Sequence, residues 1–278
     1  MHDAMSCIYC QFPEALTAGM LISAVCSLLG VFVILKRAVF IGITLSEVAA
    51  CGVAASFLLG IPPIAGSFAL VLGAVSLFAI PFENQRIPRD TLMGIIFIAA
   101  TALTILLVSK SGPGLMEINA VLYGDLILAS TKELKILFSI LTPSLILFIC
   151  VLRPTLYSFM DREGAKVLGI KTWIWESLYF LMLGMIISAA SQIAGALLIF
   201  CYLVVSPAAA LMASKKIAHV LLIAPLLAML ATFIGMVVSF NFDLPTNQTI
   251  CISSCILFVL VSTISGVCRR LLPIEHQH

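Results

Sequence analysis

Nine stretches of about 20 residues, each long enough as a helix to cross a hydrocarbon core about 30 Å thick, follow one another along the chain. They lie near 15–35, 40–60, 62–82, 91–109, 134–152, 173–191, 193–213, 217–240 and 248–268. Water is absent from a bilayer core, so each crossing must satisfy its own backbone hydrogen bonds. That requirement selects helices. Composition agrees: 62% of the 278 residues are hydrophobic and 10% are charged, against about 25% charged in soluble domains. The expected fold is therefore all-α, a polytopic transmembrane helical bundle forming one domain over 1–278.

Charge placement tests the count. With the N-terminus outside and nine spans, the inner loops hold Lys36, Arg37, Arg86, Arg89, Arg153, Arg162, Lys166, Lys171, Lys215, Lys216, Arg269 and Arg270. Only Lys110, Lys132 and Lys135 remain outside, which is the bias of the positive-inside rule. Residues 173–213 are the weak point, because two spans meet there at Ser191 and Gln192 with almost no loop. An eight-span arrangement with one long broken helix also fits. Pro62, Pro63, Pro143, Pro207 and Pro225 interrupt several spans, as membrane helices packed on neighbours tolerate. Two segments do not span. Residues 117–130 are apolar but short, and read as an outer re-entrant or interfacial helix. Residues 160–171, MDREGAKVLGIK, read as a short amphipathic inner helix.

Few side chains carry chemistry. The first fourteen residues lack Lys and Arg, so no cleavable signal peptide is expected. A net charge of +2 gives no reason to expect a nucleic-acid partner. Without a G-x-x-x-x-G-K-[ST] motif the chain binds no nucleotide through a phosphate loop. No constellation suggests hydrolysis, and no permanently bound cofactor is implied. Cys7 and Cys10 form a lone C-x-x-C, short of the four ligands of a structural zinc site. The C-terminal EHQH reads as a solvated tail. Six further cysteines lie in apolar runs, where they act as small hydrophobes.

One acid, Glu47, stands at mid-span. A charge there costs about 2.5–3.5 kcal/mol on insertion scales and usually marks a pathway, a relay or a partner; a structural hydrogen bond to a neighbouring helix is the other reading. Ile43, Glu47 and Cys51 share a helix face, with Ser46 beside them; a carboxylate, a hydroxyl and a thiolate there could contact a divalent cation, but three such groups on one helix are not a site. Asp243, in NFDLPTNQTI, lies at the outer end between the last two spans. It is either a path acid or a loop acid capping the next helix.

Several segments in order resemble the zinc/manganese/iron class of bacterial ABC-importer permeases. They are KRAVFIGITLSEVAACGVAASFLLG at 36–60, RDTLMGIIF at 89–97, the inner segment 161–169, GALLIFCYLVVSPAAA at 195–210 and FDLPT at 242–246. The family's Asp and His of the second span fall here on Ile43 and Glu47. A carboxylate in place of imidazole favours manganese or iron over zinc. The resemblance implies an ATP-driven importer of a divalent metal in the bacterial inner membrane. Its path would lie at an interface with a second permease subunit, identical or paralogous. Its partners would be an ATP-binding cassette subunit and an extracytoplasmic metal-binding protein. Asp161, Glu163, Ala165, Leu168 and Gly169 would then form the coupling helix, and Glu47, Ser46, Cys51 and Asp243 the metal path. A proton-coupled secondary transporter, a vitamin-B12/siderophore-type permease and a membrane scaffold are the competing readings.

Overall fold

The computed structural model describes residues 13–79, 89–110, 124, 126, 130–160, 164 and 171–271. The described residues form eight helices and no strand. They are α1 (Pro13–Leu35), α2 (Phe40–Leu59), α3 (Pro63–Ala79), α4 (Arg89–Lys110), α5 (Thr131–Met160), α6 (Thr172–Ala213), α7 (Ile217–Phe242) and α8 (Thr246–Leu271). Seven of them are long and apolar enough to cross a membrane, and the apolar part of α3, Pro63–Phe78, is shorter. The chain is a multi-pass membrane protein.

Burial sorts the helices. The most apolar windows of α1 and α2 are 67% and 72% buried, those of α4 and α8 only 22%. Ile98 and Ile264 are each 67% exposed. In water such surfaces would drive aggregation; in lipid they are the solvent-facing side. Helix α6 is the axis of the bundle and packs against every other helix except α4, which lies on α2.

At 42 residues, a straight α6 would run about 63 Å, twice the hydrocarbon thickness. It is not straight. Gly195 takes φ 72°, ψ 163°, and two helices meet there. The contacts on either side show that the chain turns back. The Tyr179 hydroxyl donates to the Leu29 carbonyl at 2.8 Å. A Cβ on the next residue, Gly30, would lie 2.3 Å from the Leu203 carbonyl oxygen. Tyr179 and Leu203 are about 24 residues apart, or about 36 Å along a straight helix, yet they meet adjacent residues of α1. The tip near Gly195 lies at the other end of the bundle, where the Asn247 amide donates to the carbonyls of Ala194 and Gly124, 3.0 Å each. The break falls at Gly195 rather than at Ser191 and Gln192, which continue the first arm.

The prolines behave differently from their reading as interruptions. Pro143 and Pro225 sit inside continuous helices and Pro207 inside the second arm of α6, and Pro63 opens α3, where no amide proton is required. The segment 117–130 lies largely outside the described residues. Leu126 within it is fully buried and lies where a Cβ on Gly19 would touch it.

Helices α2 and α3 cross at backbone contact. A Cβ on Gly52 would lie 2.5 Å from the Gly66 carbonyl oxygen, and one on Gly66 would lie 2.4 Å from that of Gly52. Such small-residue crossings supply dispersion contact where lipid removes the hydrophobic drive between helices. Gly52→Val forces the helices apart, at a cost of about 1–3 kcal/mol from overpacking. The expected result is a lower melting midpoint of the detergent-solubilised protein by size-exclusion thermal challenge. An unchanged midpoint would show that the crossing yields freely.

Candidate functional site

Glu47 lies at the seam of α2 and α4. Three contacts define that seam. The Thr44 hydroxyl is shared between its own Phe40 carbonyl and the Met93 carbonyl of α4, at 2.8 and 3.2 Å. Next along the seam, the Thr101 hydroxyl of α4 stands 3.4 Å from Glu47 Oε2 while also donating to the Phe97 carbonyl at 2.9 Å. Last, the Cys51 thiol lies against the Thr104 hydroxyl. The shared helix face expected of Glu47 and Cys51 is therefore real, and α4 covers part of it with hydroxyls.

Exposure separates the members. Thr44, Ser46 and Cys51 are buried, whereas Glu47 and Ile43 are half-buried. Glu47 is thus only partly covered within this subunit, with the Thr101 hydroxyl against one carboxylate oxygen. A carboxylate facing hydrocarbon at mid-span costs about 2.5–3.5 kcal/mol on insertion scales. Ser46 is turned away from the group. Its hydroxyl donates to the Gly42 carbonyl at 2.9 Å, one turn back on its own helix.

Asp243 is not brought to Glu47. It ends α7 in the left-handed conformation, φ 54°, ψ 40°, with its amide donating to the Ser239 carbonyl, and its side chain is exposed. The Ser239 hydroxyl contacts Thr246 Oγ1 at 2.8 Å across the same turn. Among the described residues no three of His, Cys, Asp and Glu come together as a metal-ligand cluster. Asp161, Glu163, Ala165, Leu168 and Gly169 lie outside the described residues, as do Cys7, Cys10 and the EHQH tail.

Sequence reading missed two features. Thr101 and Thr104 sit in an apolar helix with nothing to mark them until α4 is laid on α2. The second is an ion pair just past the C-terminal end of α1: Lys36 Nζ lies 2.6 Å from Glu176 Oε1, between residues 140 positions apart. A basic residue closing one span and an acid opening another are the only signals the sequence carries for it.

Residues 9–265 match the ABC 3 transport family. The chain is 27% identical to the manganese transport system membrane protein MntC of Halalkalibacterium halodurans, over 91% of this chain and 86% of that one. It is 26% identical to the chelated iron transport system membrane protein YfeD of Yersinia pestis, over 89% of this chain and 83% of that one. Its fold superposes on PsaBC from Streptococcus pneumoniae, solved in complex with Fab, with TM-score 0.86, 20% identity and coverage of 97% and 99%. A family match over nearly the whole length, on a bundle of the same architecture, leaves one conclusion: the chain belongs to the ABC 3 transport family.

Proposed function

We propose that this chain is the membrane-spanning permease subunit of an ATP-driven importer for a divalent transition metal, with manganese and iron ahead of zinc. The observation that carries the reading is Glu47, half-buried at the α2 and α4 seam with the Thr101 hydroxyl 3.4 Å from its carboxylate. A carboxylate with hydroxyl neighbours is a hard oxygen donor set and suits manganese or ferrous iron better than zinc. The manganese and iron transport named in the relatives MntC and YfeD supports the same cargo.

Glu47 faces the metal path, completed by a second permease subunit. Cys51 is close enough along the face to assist a softer ion, Ser46 backs the helix turn that carries Glu47, and Asp243 meets the cation earlier, on the outer surface. The bundle end holding Lys36, Ser158 and Glu176 faces the cytoplasm, and the end holding Gly124, Ala194 and Asn247 faces outward. With the two arms of α6 counted separately and α3 crossing as well, the chain has nine spans and an outer N-terminus, and the Lys and Arg bias follows the positive-inside rule. The segment 161–169 meets an ATP-binding cassette subunit through Asp161, Glu163, Ala165, Leu168 and Gly169. An extracytoplasmic metal-binding protein delivers the ion from above, across a bacterial inner membrane.

Energy then comes from the partner, because the chain has no phosphate loop of its own. Reconstituted alone in liposomes, the chain is expected to concentrate no radiolabelled manganese. With the ATP-binding subunit added, ATP should drive accumulation. Uptake by the chain alone under a pH gradient would overturn the reading and make it a proton-coupled carrier.

A further inference from the structure

The inner end of the bundle is built around one buried charge pair. Lys36 Nζ and Glu176 Oε1 are 2.6 Å apart, with only 18% and 10% of their side chains exposed. The same ammonium lies 4.9 Å from the centre of the Phe159 ring, a cation–π distance. Three helices meet there. Lys36 is the residue after the end of α1, Phe159 is the penultimate residue of α5, and Glu176 lies in the second turn of α6.

These contacts pinch together the two ends of the segment between α5 and α6. Ser158 Oγ stands 3.4 Å from the Thr172 carbonyl across that gap. The Phe159 ring meets Tyr179 edge-on at 5.1 Å, and Tyr179 is bonded to the α1 backbone at Leu29. The chain leaves α5 and returns through α6 at a point held against the end of α1.

The turn from Lys36 into α2 is short. Arg37 turns the chain with φ 56°, and α2 begins at Phe40. Glu47 stands two turns into α2. Few flexible residues separate the ion pair from the helix that bears the path carboxylate.

Energetics argue against a purely stabilising role. Burying two charges costs several kcal/mol per ion, and apolar residues of the same volume often stabilise as well or better. What the pair adds is direction, because it fixes one separation and orientation. Resting on the assignment of 161–169 as the segment that meets the ATPase, we propose that Lys36 and Glu176 are positioning residues for energy coupling: they hold the end of α5 and the start of α6 against the 36–39 turn that leads into α2 and Glu47.

The test uses the assembled transporter in liposomes, measuring metal moved per ATP hydrolysed. Lys36→Met and Glu176→Gln are each expected to lower that ratio by about tenfold, within the range of energetic coupling between sites, while ATP hydrolysis continues. The double variant should lose no more than either single one, since the two act as a unit. Lys36→Arg, which keeps the charge and the ring contact, should retain most of the coupling. A ratio equal to wild type in both single variants overturns the proposal, as does loss that tracks only the amount of folded permease, or losses that multiply in the double variant. Failure of the wild-type complex to move metal with ATP would instead overturn the importer reading itself.

Discussion

Glu47→Gln should reduce manganese and iron uptake by about 10- to 100-fold, the range seen when a group that tunes a metal site is lost. The substitution keeps the size of the side chain and its ability to accept from Thr101, which stands 3.4 Å from Oε2. It removes the charge. A divalent cation leaving water for a low-dielectric path loses strong hydration, and a full negative charge offsets that loss far better than an amide dipole. The α2 and α4 seam does not depend on the charge: Thr44 still bonds Met93, and Thr101 still bonds Phe97. The protein should therefore insert and fold normally. The measurement is radiometal uptake for manganese, iron and zinc, normalised to permease in the membrane. Glu47→His, which supplies a softer nitrogen donor, should move preference toward zinc. If Glu47→Gln carries all three ions like wild type, Glu47 is a structural residue of the seam.

The sequence exposed Glu47 because a lone acid in an apolar run is costly enough to need a path or a bonded neighbour. It also exposed the helices, since hydropathy over 20 residues reports directly on what lipid demands. It did not expose Thr101, because threonine in a membrane helix usually bonds its own preceding turn, as Thr101 itself does with Phe97. Only the packing of α4 shows that the same hydroxyl also reaches Glu47. The Lys36 and Glu176 pair was hidden for a related reason. Each charge looked complete as a loop-end residue, and the pairing depends on how α1 and α6 lie together. Asp243 was legible as a turn acid, but it closes α7 rather than capping the next helix, because its left-handed backbone lets its amide bond the Ser239 carbonyl. The reversal in 173–213 was half-legible. Charge alternation favoured a chain that turns back there over one long broken helix, but hydropathy runs unbroken through the turn and does not mark where.

Gly195→Val should cost a large share of the folded protein. At φ 72° and ψ 163° the backbone occupies a region essentially reserved for glycine, and a β-branched residue held there is strained by about 1–3 kcal/mol. The surroundings leave no room to relax. A Cβ on Gly124 would already lie 2.4 Å from the Gly195 amide nitrogen, so the two backbones touch. Moreover, the reversal ends one helix and begins another with no loop between them. Carbonyls at the end of the first arm lose their helical partners, in a place where water does not replace them. Asn247 supplies the donor to Ala194 and ties the same tip to Gly124, so shifting Gly195 disturbs both bonds. Strain plus one lost buried hydrogen bond, about 3 kcal/mol in all, corresponds to a fall of about 10 °C in melting midpoint for a domain of this size. Size-exclusion thermal challenge of the solubilised protein measures it, and a midpoint within a degree or two of wild type would mean that the tip is not built as described. The geometry has a second consequence, independent of stability. Because the arms run back along each other, single cysteines at Lys171 and Lys215, in a chain otherwise freed of cysteine, should react with a membrane-impermeant maleimide from the same side. Labelling from opposite sides would mean that α6 crosses once, and the reversal at Gly195 would be wrong.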